Sequence, residues 1–232
     1  MEFEACIESL EGALLAERYG ADRVELCSAL NEGGLTPSNG LLKQIKENSN
    51  LPVFAMIRPI AGGFIYTDEV VDLMCMEIAE MAKGGADGVV FGVLDQQSNL
   101  DLKANARLIN EALKHHMTPI CHRAFDFTPE PFTALDKIID LGFKRLLTSG
   151  QKPKAIEGLD LIKALHQKAA GRIEIMAGSG VSQASMEDFS KSGIDAVHFT
   201  VGAFEENVPL GMGARLISNE QKVKAIMQYK QA

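Results

Sequence analysis

From end to end the chain alternates between short runs of β-branched and aliphatic residues and longer stretches whose apolar positions recur every three to four residues. The short runs predict strands over Phe3–Ile7, Arg23–Cys27, Val53–Ile57, Gly88–Phe91, Pro119–His122, Arg145–Thr148, Arg172–Met176 and Ala196–Thr200. Helical periodicity marks Leu10–Tyr19, Glu69–Lys83, Leu102–Lys114, Ile156–Lys168 and a final Asn219–Tyr229. Several helices stop at a glycine just before the next strand, as in Gly20-Ala21-Asp22, Gly84-Gly85-Ala86-Asp87, Gly142-Phe143-Lys144 and Gly193-Ile194-Asp195. Glycine accepts the left-handed conformation that ends a helix. The recurring Gly-Ala-Asp or Gly-Ile-Asp is therefore a weak internal repeat at helix-to-strand junctions, the stabilising end of a β/α barrel. Eight strands with intervening helices predict a single-domain TIM (β/α)8 barrel over residues 1–232, with a doubly wound sheet as the alternative topology.

Composition narrows the partners more than the fold. The 232 residues carry 23 Lys plus Arg against 31 Asp plus Glu, a net charge of −8, with no basic cluster. That balance argues against nucleic acid or an anionic membrane as a main partner. No apolar run reaches the roughly 18–20 residues of a membrane span, and the acidic Met1-Glu2-Phe3-Glu4 start lacks a basic leader. Four scattered cysteines (Cys6, Cys27, Cys75, Cys121) with no CxxC pair fit a reducing compartment, and the expected location is the cytoplasm.

In a barrel the chemistry sits where strands end and βα loops begin. Strands one and two deliver two copies of Glu-x-Cys, Glu4-Ala5-Cys6 and Glu25-Leu26-Cys27, and alternation puts each Glu and Cys on one face. Polarity turns that face inward, because a carboxylate is rarely set against an apolar helix layer without a partner. Strand three ends in Arg58-Pro59, strand five in His122-Arg123-Ala124-Phe125-Asp126, strand six in Thr148-Ser149-Gly150, strand seven in Gly178-Ser179-Gly180, and strand eight brings His198 and Thr200. Cys121 adjoins His122 and so faces the helix layer, while Cys75 reads as helix packing. His115-His116 reads as solvated helix-end chemistry, His166 as a surface residue, and the ten methionines as core filler.

These blocks carry a resemblance. Gly20-Ala21-Asp22-Arg23-Val24-Glu25-Leu26-Cys27, Glu32-Gly33-Gly34-Leu35-Thr36-Pro37-Ser38, Ile57-Arg58-Pro59 with Gly62-Gly63-Phe64 and Tyr66, His122-Arg123-Ala124-Phe125-Asp126 and Leu147-Thr148-Ser149-Gly150 are similar, in order, to the copper homeostasis protein CutC family. The resemblance implies a cytoplasmic TIM barrel, a homodimer or larger, with Cys6 and Cys27 at the positions proposed as Cu(I) ligands in members.

Geometry gives the metal reading a basis of its own. Neighbouring strands lie about 4.8 Å apart, and two metal–sulfur bonds of about 2.3 Å in line span about 4.6 Å. Thiolates of Cys6 and Cys27 at matching heights can then clasp one soft ion, for which Cu(I) is the natural choice. A second reading makes the same end of the barrel an enzyme site for a small carboxylated or phosphorylated metabolite. There Arg58 and Arg123 hold the anion, Glu4, Glu25, His122 and Asp126 are the acid/base candidates, and Thr148, Ser149, Gly178 and Gly180 line the substrate. A third reading leaves Cys6 and Cys27 as small buried hydrophobes.

Overall fold

The computed structural model describes residues 1–204 and 216–230. Eight parallel strands, β1 (Glu2–Ile7), β2 (Arg23–Leu26), β3 (Val53–Met56), β4 (Gly88–Phe91), β5 (Thr118–Cys121), β6 (Arg145–Thr148), β7 (Glu174–Gly178) and β8 (Ala196–Thr200), close into a barrel in sequence order. The helices between and after them are α1 (Leu10–Arg18), α2 (Asn39–Asn48), α3 (Asp68–Lys83), α4 (Leu102–Lys114), α5 (Pro131–Leu141), α6 (Leu159–Ala169), α7 (Gln183–Ser192) and α8 (Glu220–Met227). A closed ring excludes the doubly wound sheet. A small antiparallel pair, β9 (Gly202–Phe204) and β10 (Leu216–Ser218), follows β8 and had no counterpart in the periodicity.

Alternation sorts the strand residues into two cores. Outward residues such as Ala5, Ile7, Val24, Leu26, Val89, Phe91 and Cys121 pack against the helices. Inward ones, Cys6, Cys27, Phe54, Met56, Val90 and Ile120, fill the barrel. The Glu-x-Cys pairs therefore face inward, and Cys121 faces out. Cys75 of α3 is partly buried against the outer core. His115 caps the end of α4 and both it and His116 are exposed.

The Gly-x-Asp repeat has a definite job at the barrel's lower end. Asp22 Oδ2 accepts the Phe3 N–H, Asp87 Oδ2 the Val53 N–H, and Asp195 Oδ2 the Ile175 N–H, each at 2.8 Å. Each carboxylate satisfies an N–H of the first or second residue of the preceding strand, at the end where the ladder has yet to begin. In the remaining copy Lys144 replaces the aspartate and contributes only its backbone, to Pro119 O.

Above this end lies a buried ionic floor. Arg23 Nε donates to Glu4 Oε2 at 2.8 Å, and Arg145 Nη1 donates to the same oxygen at 3.2 Å. Arg145 Nε bonds Glu174 at 2.6 Å, and Arg23 also pairs with Glu2 and Glu174. The Arg145 guanidinium lies over the Phe54 ring at 5.1 Å. Burial, then the charge of Arg145, brings Arg23 down to about 10.

Candidate functional site

A cavity of about 640 Å³ opens at the carboxyl ends of the strands. Its walls include Cys6 and Glu25 from the barrel interior, His122 and Arg123 after β5, Ser179–Ser182 after β7, and His198 and Thr200 of β8. Glu25 and His122 thus share one chamber.

The deepest part is a cluster of thiols, carboxylates and an imidazole. Cys6 is in register with Glu25, not with Cys27, so the two Glu-x-Cys units are staggered rather than level. Strand tilt of about 36° in such barrels places Cys6 in height between Glu25 and Cys27. The ligating atoms of Cys6, Glu25 and Cys27 consequently lie within 4.8 Å of one another. Those of Glu4, Glu25 and His198 do the same, immediately below. His198 Nδ1 lies 2.8 Å from Glu4 Oε1 and 3.5 Å from Glu25 Oε2. Glu4 thereby joins the ionic floor to the site, with one oxygen for the arginines and the other for His198.

Electrostatics polarises this cluster. A hydrogen bond from Cys27 lowers the Cys6 thiol; burial opposes it and His198 adds to it, and the result is about 6. Cys27 moves the other way, well above the usual thiol range, because it donates to the Cys6 sulfur and is buried. Its sulfur is also 3.2 Å from Glu25 Oε1. Burial pushes Glu25 up to about 8, with His198 pulling it back. Burial disfavours a charged His198, but Glu25, Cys6 and Glu4 outweigh it and hold the ring well above its ordinary range. At neutral pH the cluster holds a Cys6 thiolate against a His198 imidazolium.

Glycines make room here. Gly34, in the loop after β2, has φ +88, and a Cβ there would stand 3.1 Å from Cys27 Sγ. At Gly92, after β4, a Cβ would lie 3.0 Å from His122 Nδ1.

Higher in the cavity the arginines differ. Arg58 is buried, and its Nη1 donates to Glu32 O and Gly34 O while Nη2 donates to Gly62 O. This side chain ties two βα loops together and leaves its Nε without a protein partner. Arg123 is more open: Nε bonds Asp126 at 2.9 Å and Nη2 bonds Ser149 Oγ at 3.0 Å. Asp126 is committed to the loops, accepting from Thr148 Oγ1 at 2.5 Å and from the backbone N–H groups of Ser149 and Gln151. Asp126, Thr148, Ser149 and Gly178 lie behind the cavity wall rather than on it, whereas Arg58, Arg123 and Gly180 line it. Gly178 gives space to Leu147 and His198, since a Cβ would meet them at 2.4 and 3.2 Å.

His122 accepts the Ala124 N–H at Nδ1, which fixes the proton on Nε2, and that Nε2 is buried without a partner. Burial, then the Arg58 charge, lowers this ring to about 3. It is a neutral hydrogen-bond donor at working pH. Two cavity residues stood outside the sequence-derived set. His198 was visible as an inward residue of the last strand, but nothing local revealed its carboxylate partners. Lys222, on α8, reaches back to Thr200 Oγ1 at 2.7 Å and Gly202 O at 2.8 Å, a tertiary contact with no sequence signal.

Comparison with known proteins agrees with this architecture. The family model described as CutC family matches residues 1–203. The human copper homeostasis protein cutC homolog is 40% identical over 228 residues, covering 95% of this chain and 83% of its own. A Treponema denticola family protein CutC is 44% identical over 200 residues, covering 86% and 80%. The crystal structure of a Streptococcus agalactiae protein solved under the name copper homeostasis protein CutC superposes with a TM-score of 0.80 at 31% identity, covering 86% of this chain and 98% of that one. A 3-hexulose-6-phosphate synthase from Salmonella typhimurium, 16% identical with a TM-score of 0.64 over 99% of this chain and 98% of its own, shares the barrel alone. By the extent of the family match and by these identities, the chain belongs to the CutC family.

Proposed function

We propose that this protein binds Cu(I) between Cys6 and Cys27 and buffers or hands on the metal in the cytoplasm, as a homodimer or larger assembly. The observation that carries the reading is the approach of both sulfurs and a Glu25 oxygen to within 4.8 Å of one another. Two thiolates spanning one ion in line need about 4.6 Å, and soft thiolates select Cu(I) over harder cations. Cys6 enters as a ready thiolate. Cys27 arrives protonated, so binding displaces its proton, and the charge of the incoming ion drives that release. His198 compensates the thiolate charge in a buried site. The names of the human and Streptococcus agalactiae relatives support the role in copper homeostasis. Titration of the reduced protein with Cu(I) against a competing chelator tests the reading. Wild type is expected to retain the metal where Cys6→Ser/Cys27→Ser loses it, and equal retention removes the thiols from the account.

A second reading, an enzyme acting on a small anionic metabolite, is favoured by one observation, the buried and unpartnered Nε2–H of His122 in the same cavity. In it Glu25 moves the proton and His122 polarises an oxygen of the substrate as a neutral donor.

A further inference from the structure

The chain is acidic overall, yet the cavity lining reverses that sign. Among the described residues Arg58, Arg123 and Lys222 line it against a single carboxylate, Glu25. The remaining wall is partly apolar, with Phe64, Phe127 and Phe199 among its residues. Phe64 sits 4.7 Å from the His122 ring and 5.4 Å from Phe127, which itself is 62% exposed. Aromatic faces at an opening, next to cations, are the surfaces that a flat organic anion covers.

Strand order locates the charged end of such a ligand. The segment Ser179–Ser182 lies after β7, between the ends of β6 and β8. Arg123 is bonded to Ser149 at the end of β6, and Lys222 to Thr200 at the end of β8. The two cations therefore flank the segment from either side. Ser182 caps α7, a helix of 10 residues, so the positive end of its dipole faces the same space. The independent sign of a ligand is His122, a residue of the cavity wall that is 4% exposed and whose Nε2–H is buried with no protein partner to receive it. A buried donor left unpaired is costly, and a ligand oxygen removes that cost.

We propose that the outer half of the cavity is a binding subsite for a small organic anion with a flat apolar body. Its carboxylate or phosphate lies over Gly180–Ser182 between Arg123 and Lys222, its body lies against Phe64 and Phe127, and a second oxygen accepts from His122 Nε2. Arg58 is tied to the loops by three carbonyls, which take three of its four terminal N–H bonds, so the charge is assigned to Arg123 and Lys222. The subsite deepens the enzyme reading by naming the substrate class, and it is independent of copper.

Isothermal titration of the copper-free protein with phenyl phosphate, benzoate and the neutral benzyl alcohol tests it. The two anions bind and the alcohol does not. Arg123→Ala and Lys222→Met each weaken the anions by about tenfold to a hundredfold, the range for one hydrogen bond to a charged group, with circular dichroism confirming the fold. Binding of benzyl alcohol as tight as benzoate overturns the anion subsite while leaving a catalytic cavity for a neutral substrate. Absence of binding by both anions, or binding undiminished in both variants, overturns the subsite itself.

Discussion

Glu4 commits both of its oxygens to other groups, one to Arg23 and Arg145 and one to His198. Removing a carboxylate from such a setting leaves buried cations uncompensated, at a cost of about 3–5 kcal/mol. Because Glu174 still pairs with both arginines, Glu4→Gln is expected near the lower end, about 3 kcal/mol, in equilibrium denaturation. A loss below about 1 kcal/mol contradicts its place as the link between floor and site. His122 gives a pH dependence of definite sign. Unfolded, the ring takes a proton as pH falls through about 6.5, and folded only near 3. Between those values the unfolded chain binds more protons, so stability falls as pH drops through the window. Glu25 acts oppositely: raised to about 8 from 4.5, its contribution is lost as pH rises between those values. Denaturant midpoints across the acid range should therefore fall less steeply in His122→Phe than in wild type, and an unchanged slope refutes the neutral buried ring.

At the scale of elements, the repeated Gly-x-Asp was legible as a motif but not as a bond. Its aspartates prove to tie the start of one strand to the junction before another. Asp22→Ala, Asp87→Ala and Asp195→Ala are each expected to cost about 1–2 kcal/mol, as hydrogen bonds to partly exposed charged groups do. Their effects should add, since the sites share no partner; thermal denaturation of the triple variant checks the sum. Alternation placed seven strands to within a residue at either end. The seventh begins two residues later than the apolar run suggested, because Arg172 folds back to donate to Ala169 O and Lys168 O and so closes α6 instead of opening β7. Similarly α6 starts at Leu159 rather than Ile156, since Ala155 N–H is taken by Ser179 O and Gly158 packs against Gly150. Gly34→Ala combines a left-handed φ with a close approach to Cys27, and should lower stability by more than about 1 kcal/mol while weakening Cu(I) retention in the chelator competition.

For the whole molecule, periodicity led to the barrel with a doubly wound sheet as the alternative, and the polarity of the paired Glu-x-Cys turned that face inward, because a carboxylate is rarely set against an apolar helix layer. What periodicity could not supply was anything joined across the barrel: the stagger of Cys6 against Cys27, the commitment of Arg58 and Asp126 to loops, and the arrival of Lys222 from α8. Those depend on register and on side-chain reach, which no local window contains. Under the proposed copper reading, a site assembled from β1, β2 and β8 would also couple the metal to the fold, since the unfolded chain cannot present it. Copper at 100 times its dissociation constant should add about 2.7 kcal/mol, a rise in Tm of about 5–10 °C for a chain of this length, and no rise in Cys6→Ser/Cys27→Ser.

The central claim is that sulfur from two strands holds the ion, and X-ray absorption at the copper edge reads that directly. On the reduced protein loaded with one equivalent of Cu(I), the account predicts a first shell of two sulfur neighbours in wild type. It predicts their loss in Cys6→Ser/Cys27→Ser. A first shell of nitrogen and oxygen alone in the wild-type protein, or an unchanged sulfur shell in the double variant, would contradict it.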